Sequence, residues 1–169
     1  MKVTSAQAAK MLRQLNEAHR ALRLREDQSK TFLAALGEDV ESARPEYDYA
    51  GTQQELEAIE GKIRKLKHAI SVFNTTTVIP EFGITVDEML VYLPQLSQRE
   101  SRLSNMKAAL PKTREATHLR SSSSVIDYRY ANYDIKQAET DYNKAADELA
   151  RAQTALDVIN NTVEFEIDL

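Results

Sequence analysis

Between residues 56 and 73 the apolar side chains Leu56, Ile59, Ile63, Leu66, Ile70 and Phe73 recur in unbroken steps of three and four. Such a period belongs to a helix, and a seam held on one face for so many turns needs a second helix against it. A second run of the same kind is Ile135, Ala138, Tyr142, Ala145, Leu149, Ala152, Leu156 and Ile159, in which large and small residues alternate. Alanine at every second seam position lets a neighbouring backbone approach closely. This helix is therefore expected to pack against an antiparallel partner, either the first or the third helix. Two further stripes are Ala8, Leu12, Leu15, His19 and Leu22, and Tyr92, Leu96, Arg99, Leu103, Met106 and Leu110.

Four helices are expected, over residues 5–28, 53–73, 85–110 and 134–160. Three open on a threonine that can cap the helix, followed three residues later by a side chain that can cap back: Thr4 with Gln7, Thr52 with Glu55, and Thr85 with Glu88. Pro94 must kink the third helix or mark its start. Four glycines, four prolines and no tryptophan agree with helices rather than a sandwich or barrel. The expected fold is mainly α: long antiparallel coiled-coil helices forming a bundle, with a few short β-strands, as one domain over 1–169.

Between the helices the signals change. Residues 37–51 carry glycine at both ends and Pro45, which reads as a surface loop, pinned by Tyr47 and Tyr49. The run FNTTTVIPEFGIT is β-branched up to Pro80 and Gly83, as in a short strand and turn. Residues 111–124 are polar without an apolar period and read as a mobile connection. VIDYRY alternates, with Ile126, Tyr128 and Tyr130 on one side, and VEFEIDL alternates at the end of the chain. The latter is expected to pair with VIDYRY or with the TTTVI run, since a lone strand leaves backbone groups unpaired.

No cysteine is present, which excludes a disulfide framework, thiolate chemistry and Cys-type zinc sites. The N-terminal residues have no apolar signal core, and the longest charge-free stretch, 69–80, falls short of the ~18 to 20 apolar residues that span a bilayer. A cytoplasmic location and no membrane span are expected. Net charge is −4, with seven Lys or Arg against three acids in 1–30 and nine acids against three bases in 134–169. That asymmetry points to partnering within an assembly. The bases alternate with acids and lack interleaved aromatics, so nucleic acid is not expected.

His19, His68 and His118 have no second ligand at a metal-holding spacing, and His19 on its stripe reads as a packing or hydrogen-bonding residue. Paired carboxylates such as Asp147 and Glu148 point to different sides of a helix, as solvated faces do. No glycine-rich phosphate loop or nucleophile elbow occurs, and the run of serines 121–124 reads as linker. No catalytic, cofactor or metal residue is read, and the chain is expected not to be an enzyme. The least bland stretch holds Tyr128, Arg129, Tyr130 and Tyr133, a candidate recognition surface. The plainer alternative is a strand whose rings cover the open end of the bundle.

Phe73, Asn74 and Thr75 to Thr77, the capped ITVDEML starting at Ile84, and the closing Leu156-Asp157 and Asp168-Leu169 together resemble the septicolysin-like family of bacterial coiled-coil proteins. The chain departs from that family at Glu164 and Phe165, where the family has an Asn-Trp pair, and in additional residues around 121–133. The resemblance implies a coiled-coil fold with no established activity. The expected function is that of a structural or interaction protein, a homo-oligomeric helical scaffold with an unidentified protein partner. Two alternatives are a prefoldin-like chaperone or holdase, marked by exposed apolar helix tips, and the membrane-active, cytolysin-like protein that the family name implies.

Overall fold

The computed structural model describes residues 1–115 and 127–169. Among them the protein is mainly helical, with five helices and a few short strands. His118, the serine run 121–124, Val125 and Ile126 lie outside the described residues. Contacts gather into two compact units, Met1–Thr77 with Val158–Leu169, and Val78–Asp157.

In the first unit, strand β1 (Lys2–Thr4) runs directly into helix α1 (Ser5–Ser29). The joint is the expected capping box: the Thr4 hydroxyl accepts from the Gln7 amide while the Gln7 side chain accepts from the Thr4 amide. The chain then passes through the one-turn helix α2 (Val40–Ala43) into α3 (Tyr49–Thr76). Residues 37–51 are thus only partly loop, and α3 starts earlier than Thr52. The Asp48 carboxylate caps it by accepting from the Gly51 amide at 3.0 Å, and the Thr52 hydroxyl donates back to the Asp48 carbonyl. A Cβ on residue 51 would collide with that carboxylate, so the glycine that looks like a helix breaker makes room for the cap.

Helices α1 and α3 run antiparallel. His19 is hydrogen-bonded to Glu60 at 3.0 Å, and one oxygen of Glu26 accepts from both the Tyr47 hydroxyl and the Gln53 side chain. At the other end Val3, Ala8, Leu66 and Ile167 are buried, with Met11, Leu12, Leu15 and Ile70 against them. The tail strand β6 (Glu164–Glu166) closes this core, and it pairs with β1 rather than with VIDYRY or TTTVI. Its register, Val3 opposite Phe165, sets the Phe165 ring on Phe73 with centroids 4.7 Å apart.

In the second unit β2 (Val78–Ile79) and β3 (Ile84–Thr85) form a hairpin. The Ile79 carbonyl accepts from the amides of Phe82 and Gly83, and Gly83 takes φ +67°, a left-handed backbone that suits glycine. Thr85 ends β3 and caps α4 (Val86–Lys107) with Glu88 in the second expected capping box. Pro94 lies inside α4 and is exposed, so it does not mark the start; the helix stops at Lys107, short of residue 110, leaving Leu110 in solvent.

Residues Lys112–Arg114, read as part of a polar connection, form strand β4, paired antiparallel with β5 (Tyr128–Tyr130). Helix α5 (Ile135–Thr162) follows, its first turn capped by Asp134, whose carboxylate accepts from the amides of Lys136 and Gln137. Within this unit α5 runs antiparallel to α4: Tyr92 hydrogen-bonds Glu148, Glu100 beside Tyr142 pushes that hydroxyl's pKa up, and Lys107 stands over the Tyr142 ring. This register sets Met89 level with Ala152 and Leu96 level with Ala145, and all four are buried. Helix α4 carries three acids and three bases, so the contact rests on small-against-large packing rather than on opposite net charge.

Candidate functional site

The structure separates the four residues singled out from the sequence. Pairing of β4 with β5 sets Lys112 opposite Tyr130 and Arg114 opposite Tyr128, so two tyrosines and two cations share one face. The Lys112 ammonium lies 4.0 Å from the Tyr128 ring centroid and 5.5 Å from that of Tyr130, and both rings remain exposed. Arg129 points to the opposite face, where it makes a two-pronged ion pair with Glu115 at 2.8 and 2.9 Å. That pairing holds the Glu115 carboxyl below its ordinary range. Tyr133 stands apart, donating its hydroxyl to the Met106 carbonyl near the end of α4. The recognition face is therefore Tyr128 and Tyr130 with Lys112, whereas Arg129 and Tyr133 brace the ribbon.

A second exposed feature went unmarked by the seam pattern. At the loop end of the α1–α3 hairpin a turn closes at Gly37 (φ +88°), with the Glu38 amide donating to Ala35 and the Ala35 amide to the Glu38 carboxylate. Phe32 tucks beneath the Arg44 guanidinium. Leu33 and Leu36 are thrown outward, 96% and 108% exposed. Their signal was present in the apolar run FLAAL, which lies past the end of the first seam and has no partner stripe.

The third feature is an open groove of roughly 580 Å³ in the second unit. Phe82, Ile84, Val91 and Tyr92 give it apolar walls, and Asp87, Glu88 and Glu148 are its charged groups, with no basic residue in the lining. The Glu88 carboxyl is held low by the Thr85 backbone amide and then by the Thr85 hydroxyl. The Tyr92 hydroxyl is pushed up by its hydrogen bond to Glu148, with desolvation adding to it. Asp87 makes no ion pair among the described residues.

Among the described residues no three His, Asp or Glu side chains gather as a metal site, and no helix is long and apolar enough to cross a membrane. The arrangement offers surfaces for binding: a cation–tyrosine face, two outward leucines and an acidic-rimmed apolar groove. Neither a protein-family model nor a curated protein matches the chain. Among solved structures the chain is similar to the crystal structure of a functionally unknown conserved protein from Corynebacterium diphtheriae, with 17% identity and a TM-score of 0.60. The match covers 98% of this chain and 100% of that one, and at such identity it shows a shared fold alone.

Proposed function

We propose that the protein acts by binding rather than by chemistry, as an oligomeric coiled-coil scaffold that takes hold of other polypeptides at the loop ends of its helical hairpins. The observation that carries this reading is the full exposure of Leu33 and Leu36 on a turn ordered by its own hydrogen bonds. Each leucine that a partner covers contributes about 1.5 to 3 kcal/mol, and on an ordered turn little entropy is lost in doing so. The exposed Tyr128 and Tyr130 give the β4–β5 ribbon a comparable character, since aromatic rings dominate interface energetics.

The exposed leucines also favour a holdase, because an apolar hairpin tip is what a prefoldin-like protein offers to unfolded clients. Kinship with septicolysin-like proteins is compatible with both readings; its supporting residues Phe73 to Thr77 end α3 and lead into β2, while ITVDEML spans β3 and the first turn of α4.

One variant separates the possibilities. Leu33→Ser/Leu36→Ser is compared with the unaltered protein in sedimentation velocity and in suppression of heat-induced aggregation of citrate synthase. A change in sedimentation alone marks the tips as self-association elements of the scaffold. Lost suppression marks them as client-binding. If neither measurement moves, the tips are not the binding elements and the proposal fails.

A further inference from the structure

The acidic-rimmed groove on the second unit has a complement elsewhere on the same chain. On α1, Arg20, Arg23 and Leu24 lie on one exposed side of the helix, spaced as residues that share a face. Leu24 is 58% exposed, and neither arginine makes an ion pair among the described residues. An apolar side chain flanked by two cations thus sits on one surface, with Asp27, held by Lys30, at its edge. An apolar trough lined by carboxylates sits on another; the cation nearest its Phe82 wall, Arg151, is engaged by Glu81. We infer that the groove lined by Phe82, Val91 and Asp87 receives the Arg20–Arg23–Leu24 face of α1 from a second copy of the chain. This rests on the scaffold reading above and supplies the contact that builds it.

The fit is specific in chemistry. Leu24 enters between Phe82 and Val91, which removes apolar surface from water on both sides. Arg20 and Arg23 come to the rim, where Asp87 has both oxygens unengaged by any ion pair and Glu148 keeps one oxygen beyond that used by Tyr92. Arginine suits this position because its planar fork can donate two parallel hydrogen bonds to a carboxylate. The two surfaces differ, so the contact is heterologous: each copy offers one groove and one arginine face, and repetition closes a ring or extends a filament. Basic and acidic surfaces on one chain meet in this way without any partner of opposite net charge.

The experiment uses the full chain in sedimentation velocity from about 5 to 100 µM, at low and high salt, with circular dichroism to confirm folding. Two variants are made, Arg20→Glu/Arg23→Glu, which turns the α1 face acidic, and Asp87→Arg/Gln95→Arg, which turns the groove basic. Neither touches the Glu88 cap or the Tyr92–Glu148 bond. Each alone should self-associate at least tenfold more weakly than the unaltered chain, and association of the unaltered chain should weaken as salt rises. An equimolar mixture of the two should recover the lost assembly, because each now carries what the other lacks. An assembly unaffected by either variant, or a mixture that fails to recover it, overturns this contact and leaves the scaffold reading standing. A protein monomeric at every concentration overturns both this contact and the oligomeric scaffold.

Discussion

Enlarging Ala152 to leucine tests the packing of α4 against α5. Ala152 and Met89, level with each other, are both 0% exposed. Leucine adds three carbons. Were there space, each would contribute about 0.8 kcal/mol, so the variant would be more stable by roughly 2 kcal/mol. With no space, overpacking costs about 1 to 3 kcal/mol, and complete burial of both neighbours selects the second outcome. Met89→Ala alone removes three heavy atoms and should cost about 2 to 5 kcal/mol. In the double variant the leucine occupies much of the space the methionine vacates, so the combined loss should fall short of the sum by at least ~1 kcal/mol. Urea unfolding followed by helical dichroism measures all three, with Ala150→Leu on the exposed side of α5 as a near-neutral control. Additivity within ~0.5 kcal/mol, the behaviour of independent sites, would refute the register.

Phe73→Ala should destabilise the first unit by about 3 to 5 kcal/mol, because it opens a cavity and strips the stacked face from Phe165; proteolysis of the released tail after β6 would report it. Asp48→Ala should cost ~0.5 to 2 kcal/mol and fray the first turn of α3, read as faster amide exchange at Gly51. The Glu88 carboxyl is held low in the folded state, so its contribution is present above its ordinary pKa of ~4.3 and is lost as pH falls through the lowered folded value. Glu88→Gln should therefore flatten the acid limb of the stability profile; an unchanged limb would show that the cap does not titrate with folding.

The helices were legible because their signals are periodic and redundant. Ala138, Ala145 and Ala152 all proved buried where the seam placed them, and the Thr4 and Thr85 boxes formed as written. The Thr52 signal failed for a local reason: Asp48 is a better cap, and Gly51 gives it room. Strands β1 and β4 were missed because no longer alternating run surrounds them, as VIDYRY surrounds β5 and VEFEIDL surrounds β6, and their partners lie well along the chain. The tail was read correctly as a strand and given the wrong partner for that reason. Of the four surface residues, type and exposure could be read for Tyr128 and Tyr130. Their grouping with Lys112 and the bracing role of Arg129 depend on cross-strand register, which no local pattern carries.

The two strand-to-helix joints have a topological consequence. In each, a threonine ends a strand and caps a helix, and the residue four places on, Ala8 or Met89, is 0% exposed. The partner helices then end alike, in Asn74-Thr75-Thr76 before β2 and Asn160-Asn161-Thr162 before β6. With the one-turn helix α2 and the β4–β5 ribbon set aside, chain order is strand–helix–helix–strand twice over, and β6 returns to pair with β1 as β2 and β3 pair with each other. Such a chain is cyclic in its pairing although linear in its covalent bonds. The Met1 amino group already donates to the Ile167 carbonyl at 2.7 Å, so a short linker can join residue 169 to residue 1. A circular permutant opened within the 80–83 turn should then retain every strand pair and both helical hairpins.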